Sequence, residues 1–187
     1  TIVCNPNQQT FVIDEELLKD TDVKTINSCS TGLNHIDQEY CFNNDIDIQC
    51  HKNDMILINS LPSTSELAFG LMLSLLRSIP KSKDHVSNYY WDYTRFLGRQ
   101  VKDLNIGIVG YGRLGKMMDK FCKAFEANTY IYDPYVEIPQ TSLEEMVKVC
   151  DVISLHVHVT TETYHLISKD LLALSNKNLY IILWEKF

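Results

Sequence analysis

The stretch Ile106-Gly107-Ile108-Val109-Gly110-Tyr111-Gly112-Arg113-Leu114-Gly115 constrains this chain more than any other. Glycines at 110, 112 and 115 spell G-x-G-x-x-G, a short pattern that recurs by chance, so its neighbours decide what it means. Residues 105–109 form an apolar run suited to a buried parallel strand. Met117, Met118, Phe121, Cys122 and Phe125 then recur at helical spacing. A second apolar run, 129–132, ends in Asp133, about 20 residues beyond Gly112. Strand, glycine turn, helix, strand and acid together specify a dinucleotide site; the alternative, an ordinary strand-loop-helix, leaves that order to coincidence.

Each position has its own reason. Gly110 permits a tight turn off the strand, Gly112 lets a pyrophosphate approach bare backbone, and Gly115 allows the helix to sit close to the sheet. The free N–H groups and positive end of that helix receive phosphates, and Arg113 adds a cation there. Asp133 is suited to accept from both ribose hydroxyls and to repel a 2′-phosphate. Pro134 and Tyr135, which follow it, supply no base. NAD is therefore expected rather than NADP.

The remaining sequence narrows the class. At 187 residues the chain has room for one large or two small domains, and its net charge of −7 shows no basic stripe, so nucleic-acid binding is not expected. Six cysteines lack C-x-x-C spacing; Cys122 and Cys150, on apolar helix faces, read as reduced core residues of a cytoplasmic protein. The longest apolar run, 67–76, is too short to span a bilayer and reads as a buried helix, so no membrane association is expected. No signal peptide is evident, and no metal site is expected.

Two parts differ in pattern. Residues 1–61 carry short strands and short helices. From residue 62 the elements are longer: a helix over 63–79, begun by hydroxyl caps and stopped by Pro80, then one over 84–91. The β-α-β run over 105–132 follows, then a helix capped by Ser142, a strand over 152–157, a helix capped by Ser168 and a strand over 179–183. This alternation predicts an α/β, doubly wound parallel sheet with helices on both faces.

Four stretches resemble the NAD-dependent D-isomer-specific 2-hydroxyacid dehydrogenases, the group that includes D-3-phosphoglycerate dehydrogenase. They are Ser30-Thr31-Gly32-Leu33-Asn34-His35-Ile36-Asp37, the helix from Ser65-Glu66 to Leu73, the lead-in Leu97-Gly98-Arg99 through Gly115, and 154–163, in which His158 stands where the family has proline. The resemblance implies a Rossmann NAD-binding domain over 62–187 and an incomplete flavodoxin-like substrate domain over 1–61. It implies hydride transfer between the cofactor and a D-2-hydroxy or 2-keto acid. The expected cofactor contacts are Gly110, Tyr111, Gly112, Arg113, Leu114, Gly115, Asp133, Pro134, His156, Val157 and Thr161. The expected substrate contacts are Ser30, Thr31, Gly32 and Leu33, which read alone as an anion-binding nest or as a plain turn before a helix. His156 and His158, two apart on an expected strand, share a face and read as strand-end residues beside the cofactor.

The family's arginine, glutamate and histidine for catalysis fall beyond Leu183-Trp184-Glu185-Lys186-Phe187, so none is assigned here and the sequence reads as partial. Tyr89, Tyr90, Trp91, Tyr93 and Phe96 read as packing residues, with a homodimer expected through 64–96. The rival reading is a non-catalytic, NAD-responsive dimeric module of the same fold.

Overall fold

The computed structural model describes residues 1–5, 12–158, 160–175 and 178–183. Val159 of the threonine-rich stretch, and the terminal Trp184-Glu185-Lys186-Phe187, lie outside the described residues. The chain divides into two compact units, Thr1–Leu61 and Pro62–Phe187.

The first unit is a three-stranded parallel sheet in the order β1 (Ile2–Cys4), β2 (Thr25–Ser28), β3 (Asp47–Cys50). Short helices α1 (Glu15–Leu18), α2 (Gln38–Asn43) and α3 (Met55–Asn59) accompany it. Each starts at an aspartate whose carboxylate accepts a first-turn N–H: Asp14 from Leu17, Asp37 from Tyr40 and Asp54 from Leu57. Helices this short gain little from propensity. Ile13, Leu18, Ile26, Ile36 and Cys41 form the buried cluster that holds α1 and α2.

The second unit begins with α4 (Ser63–Leu76) and α5 (Ile79–Ser87), followed by an alternation of strands and helices. These are β4 (Asn105–Val109), α6 (Arg113–Ala124), β5 (Asn128–Tyr132), α7 (Leu143–Val149), β6 (Val152–Leu155), α8 (Lys169–Ala173) and β7 (Tyr180–Ile182). All pairings are parallel, in the order β5-β4-β6-β7. Alternate residues feed two cores: Ile106, Ile108 and Val152 join Phe69, Met72, Met118 and Cys122 on one face, while Val109, Ile153 and Leu155 join Met146, Val147 and Leu171 on the other. This two-sided burial makes β4 and β6 continuous apolar runs. The strand order reverses beside β4, where open α/β sheets place their ligands at the carboxyl ends of the strands.

Ser142 and Ser168 cap α7 and α8, accepting from the N–H groups of Glu145 and Leu171. The expected helix over 63–79 is corrected. It ends at Leu76, Ser78 takes a left-handed conformation (φ 51°), and α5 starts at Ile79. Pro80 lies in the first turn of α5, where its missing N–H is harmless, so it opens a helix instead of stopping one. The expected helix over 84–91 is correspondingly shifted to Ile79–Ser87. No side chain caps α4, because Pro62 holds the cap position and the Ser65 hydroxyl donates instead to Leu114 O of α6 at 3.0 Å. That helix is buried on one side only: Ala68, Phe69 and Met72 are covered, whereas Leu67, Leu71 and Leu75 are exposed.

Residues Met55–Leu76 together are long and apolar enough to cross a membrane. They are not one helix, since Ser60, Leu61 and Pro62 separate α3 from α4.

A buried acid secures the opposite end of the sheet, where the central strands β4 and β6 begin. Asp151 accepts from Arg99 Nη1 at 2.6 Å and from Asn105 N at 2.9 Å. Asp151→Ala strands the Asn105 N–H, breaks the ion pair with the half-exposed Arg99, and is expected to cost about 1–3 kcal/mol, read as a lower melting temperature. An unchanged melt would contradict the role.

Candidate functional site at the glycine turn

The turn after β4 is shaped by two contacts that admit no side chain. Gly110 has φ +88°, and a Cβ there would lie 2.7 Å from His156 O. A Cβ on Gly115 would lie 2.0 Å from Gly110 O. Gly112 differs: its Cβ direction meets nothing within 4 Å. Two glycines therefore fold the turn, and the third leaves a bare backbone facing open space.

Gly112 is also the N-cap of α6, with no side chain capping it and no acid in the first turn. The start of α6 thus presents its positive dipole end with no acid beside it, the setting that favours an anion. Arg113 and Lys116 sit in that same turn.

Asp133 directly follows β5 beside the turn, half-buried. Its Oδ2 accepts from Tyr111 N at 2.7 Å and its Oδ1 from Tyr135 N at 2.9 Å, while its own N–H donates to Gln140 Oε1 at 2.8 Å. The carboxylate is thereby oriented, with lone pairs left over for further donors. Pro134 and Tyr135 are exposed, and the Tyr135 hydroxyl donates to the Glu162 carboxylate.

The segment after β6 completes the setting. The strand ends at Leu155 because its partner β4 turns away at Gly110, so His156 and His158 do not share a strand face, contrary to expectation. His156 N still donates to Val109 O at 2.7 Å, which keeps its main chain against the turn. Its Nε2 pairs with Ser154 Oγ at 2.9 Å, and its Nδ1 is buried with no partner among the described residues. His158 and Thr161 are exposed and Val157 is half-buried. Thr160 and Thr163 bond one another reciprocally, each hydroxyl accepting the other's N–H.

Burial holds the His156 imidazole at about 4, against 6.5 ordinarily, so it is neutral near pH 7. Its folded-state value is depressed, so its stabilising contribution is complete above about pH 6.5 and lost as pH falls toward 4. The contribution is on the order of 3 kcal/mol. Melting temperatures of wild type and His156→Gln are expected to converge between pH 6.5 and 4.5; a constant difference would contradict this.

Sequence reasoning missed Asp119. It is buried in α6, and its Oδ2 accepts from the Tyr111 hydroxyl at 2.6 Å and from Lys123 Nζ at 2.7 Å. Burial raises its carboxyl, but donors from Lys123, Tyr111 and Thr129 outweigh burial and leave it below its ordinary value. The bond to Asp119, aided by burial, pushes the Tyr111 hydroxyl up to about 12. The available signal was an acid beside Met118 and three residues before Cys122, on a face otherwise read as apolar.

In the first unit, Ser30, Thr31, Gly32 and Leu33 follow β2 as a loop in which Thr31 and Gly32 are exposed. Ser30 Oγ donates to Gly32 O at 2.6 Å. With that proton committed, the 2.9 Å Ser28–Ser30 contact has Ser28 as donor, and the 2.9 Å His35–Ser28 contact has His35 Nε2–H as donor. A one-way chain from His35 to the Gly32 carbonyl thus shapes the loop. Ser28 and His35 also went unassigned in the sequence. Among the described residues no group of three or more His, Cys, Asp or Glu is arranged to hold a metal, and all six cysteines are free thiols.

Residues 69–184 match the family model "D-isomer specific 2-hydroxyacid dehydrogenase, NAD binding domain". D-3-phosphoglycerate dehydrogenase of Methanocaldococcus jannaschii is 32% identical over 186 residues, covering 92% of this chain and 34% of that protein. D-2-hydroxyacid dehydrogenase (NAD(+)) of Clostridioides difficile is 32% identical over 193 residues, covering 94% of this chain and 55% of that protein. Among solved structures, D-lactate dehydrogenase of Aquifex aeolicus, complexed with NAD and lactic acid, superposes with a TM-score of 0.77 at 29% identity, covering 96% of this chain and 54% of that one. The chain thus spans from about a third to just over half the length of these relatives. A glycine turn that only bare backbone fills, at the point where the strand order reverses, agrees with the family match: the chain belongs to the D-isomer-specific 2-hydroxyacid dehydrogenase family and carries its NAD-binding domain.

Proposed function

We propose that this chain contributes the cofactor grip and part of the carboxylate clamp of an NAD-dependent dehydrogenase acting on a D-2-hydroxy acid or its 2-keto counterpart. The observation that carries the reading is the unequal treatment of the three glycines, two locked by backbone contacts and Gly112 open. Gly110, Tyr111, Gly112, Arg113, Leu114 and Gly115 hold the diphosphate through α6 amides and the Arg113 cation. Asp133, with Pro134 beside it, takes the adenosine ribose. His156, Val157 and Thr161 border the cofactor on the β6 side.

Bound NAD supplies the hydride chemistry. The chain's own residues bind and orient: His156 is neutral and adds no charge, and Ser30, Thr31, Gly32 and Leu33 offer their backbone amides to a substrate carboxylate. No group in the 187 residues is assigned the proton transfer, so the polypeptide by itself is expected to bind NAD without turnover. Calorimetry with NAD and NADP, alongside an NADH-coupled assay with 2-keto acids, tests both halves. Binding that favours NADP, or measurable turnover, would contradict the reading.

A homodimer through 64–96 is part of the proposal. Tyr89, Trp91 and Tyr93 are exposed there, as are Leu67, Leu71 and Leu75 on α4. Exposed aromatic and apolar surface of this kind suits an interface core. Sedimentation is expected to show a dimer that Trp91→Asp weakens; a monomer at all concentrations would contradict it. The family match disfavours the rival module without catalysis in the whole protein.

A further inference from the structure

We propose that Asp119 is a positioning residue for the dinucleotide turn, acting through Tyr111. The inference rests on the NAD reading above and extends it to a residue that touches no cofactor atom. Asp119 is only 3% exposed, next to the fully buried Met118 on α6 and three residues before the fully buried Cys122. A carboxylate there is costly unless its oxygens are partnered. Lys123 is one partner, four residues along the same helix and more than half exposed. A second, on the same Oδ2, is the hydroxyl of Tyr111, which comes from the turn itself, between Gly110 and Gly112.

Tyr111 therefore has two anchors. Its backbone N–H donates to Asp133 Oδ2 at 2.7 Å, and its hydroxyl donates to Asp119 Oδ2 at 2.6 Å. Between them its ring packs against the core, with Lys116 Nζ 5.9 Å from the ring centroid. The side chain runs back along α6 from the turn to the level of its second turn, pinning the loop to the helix that receives the diphosphate. The flanking residues are glycines, which have the most freedom to lose on ordering. A turn pinned at its middle residue has surrendered that freedom before any ligand arrives, and Asp133 is aimed by the same residue. Preorganisation of this kind appears as affinity without a new ligand contact.

The test compares wild type, Tyr111→Phe, Asp119→Asn and the double variant, measuring NAD affinity by calorimetry, melting temperature without NAD, and amide hydrogen exchange over 110–112. Tyr111→Phe removes one oxygen and keeps the ring. It is expected to weaken NAD about five- to twenty-fold and to speed exchange at the turn by a similar factor. The double variant is expected to bind NAD no worse than Tyr111→Phe alone, because both remove the same link. Should Asp119→Asn fold poorly, Tyr111→Phe decides by itself. NAD affinity within two-fold of wild type in Tyr111→Phe, with any loss confined to melting temperature, would overturn the proposal and leave the NAD reading standing. A folded wild type that does not bind NAD would overturn both.

Discussion

Gly115→Ala is expected to lose about 3 kcal/mol of stability or more, roughly 10 °C in melting temperature, the upper end for overpacking. Its Cβ would stand 2.0 Å from a backbone carbonyl, Gly110 O, and 3.3 Å from Ile108 Cγ2. Neither is the free end of a long side chain, so relief requires α6 to move off the sheet. That movement opens the core at Ile108 and Met118, both fully buried. The same methyl group placed three residues earlier has a different consequence. Gly112 has ordinary backbone angles and empty space beyond it, so Gly112→Ala should melt like wild type while weakening NAD at least tenfold. Equal stability losses in the two variants, or no loss in Gly115→Ala, would contradict the assignment of separate roles to these glycines.

Asp133→Ala is the second large effect. The carboxylate is held by the N–H groups of Tyr111 and Tyr135, so it meets the ribose in a fixed orientation. Charge-assisted hydrogen bonds to hydroxyls are worth about 1.5–3 kcal/mol each, and NAD affinity is expected to fall about 10- to 100-fold. NADP should fall far less, because the substitution also removes the charge that repels a 2′-phosphate. The ratio of NAD to NADP affinity, measured by calorimetry, is the readout. A ratio equal to that of wild type would remove Asp133 from the site.

Much of the cofactor region was legible because one-dimensional spacing and three-dimensional proximity coincide there. The strand, the turn, α6, β5 and Asp133 are consecutive, and each announces itself by glycine placement, period or a terminal acid. Ser142 and Ser168 were legible as caps for the same reason: a local hydroxyl meets a local N–H. The errors arose where long-range contacts overrode local signals. The Ser65 hydroxyl looked free to help start α4 but is spent on Leu114 O, 49 residues away. Pro80 is compatible with either stopping or starting a helix, and the left-handed Ser78 before it selected the second. Residues 156–158 had strand-like composition, yet a strand ends when its neighbour turns away, which depends on Gly110. Asp119 was illegible as a turn anchor because its partner lies eight residues back and outside the helix. The chain from His35 to Gly32 likewise depends on proton accounting that needs coordinates.

The central claim is that a dinucleotide's diphosphate rests on the bare backbone at Gly112 and the leading amides of α6. Amide resonances of the folded 187-residue chain, followed while NAD is added, test it most directly. Saturable shifts are expected, concentrated at 110–115, with a second group at 133–135. A folded chain whose resonances at 110–115 stay fixed at millimolar NAD, or shift only at residues remote from the turn, would contradict it.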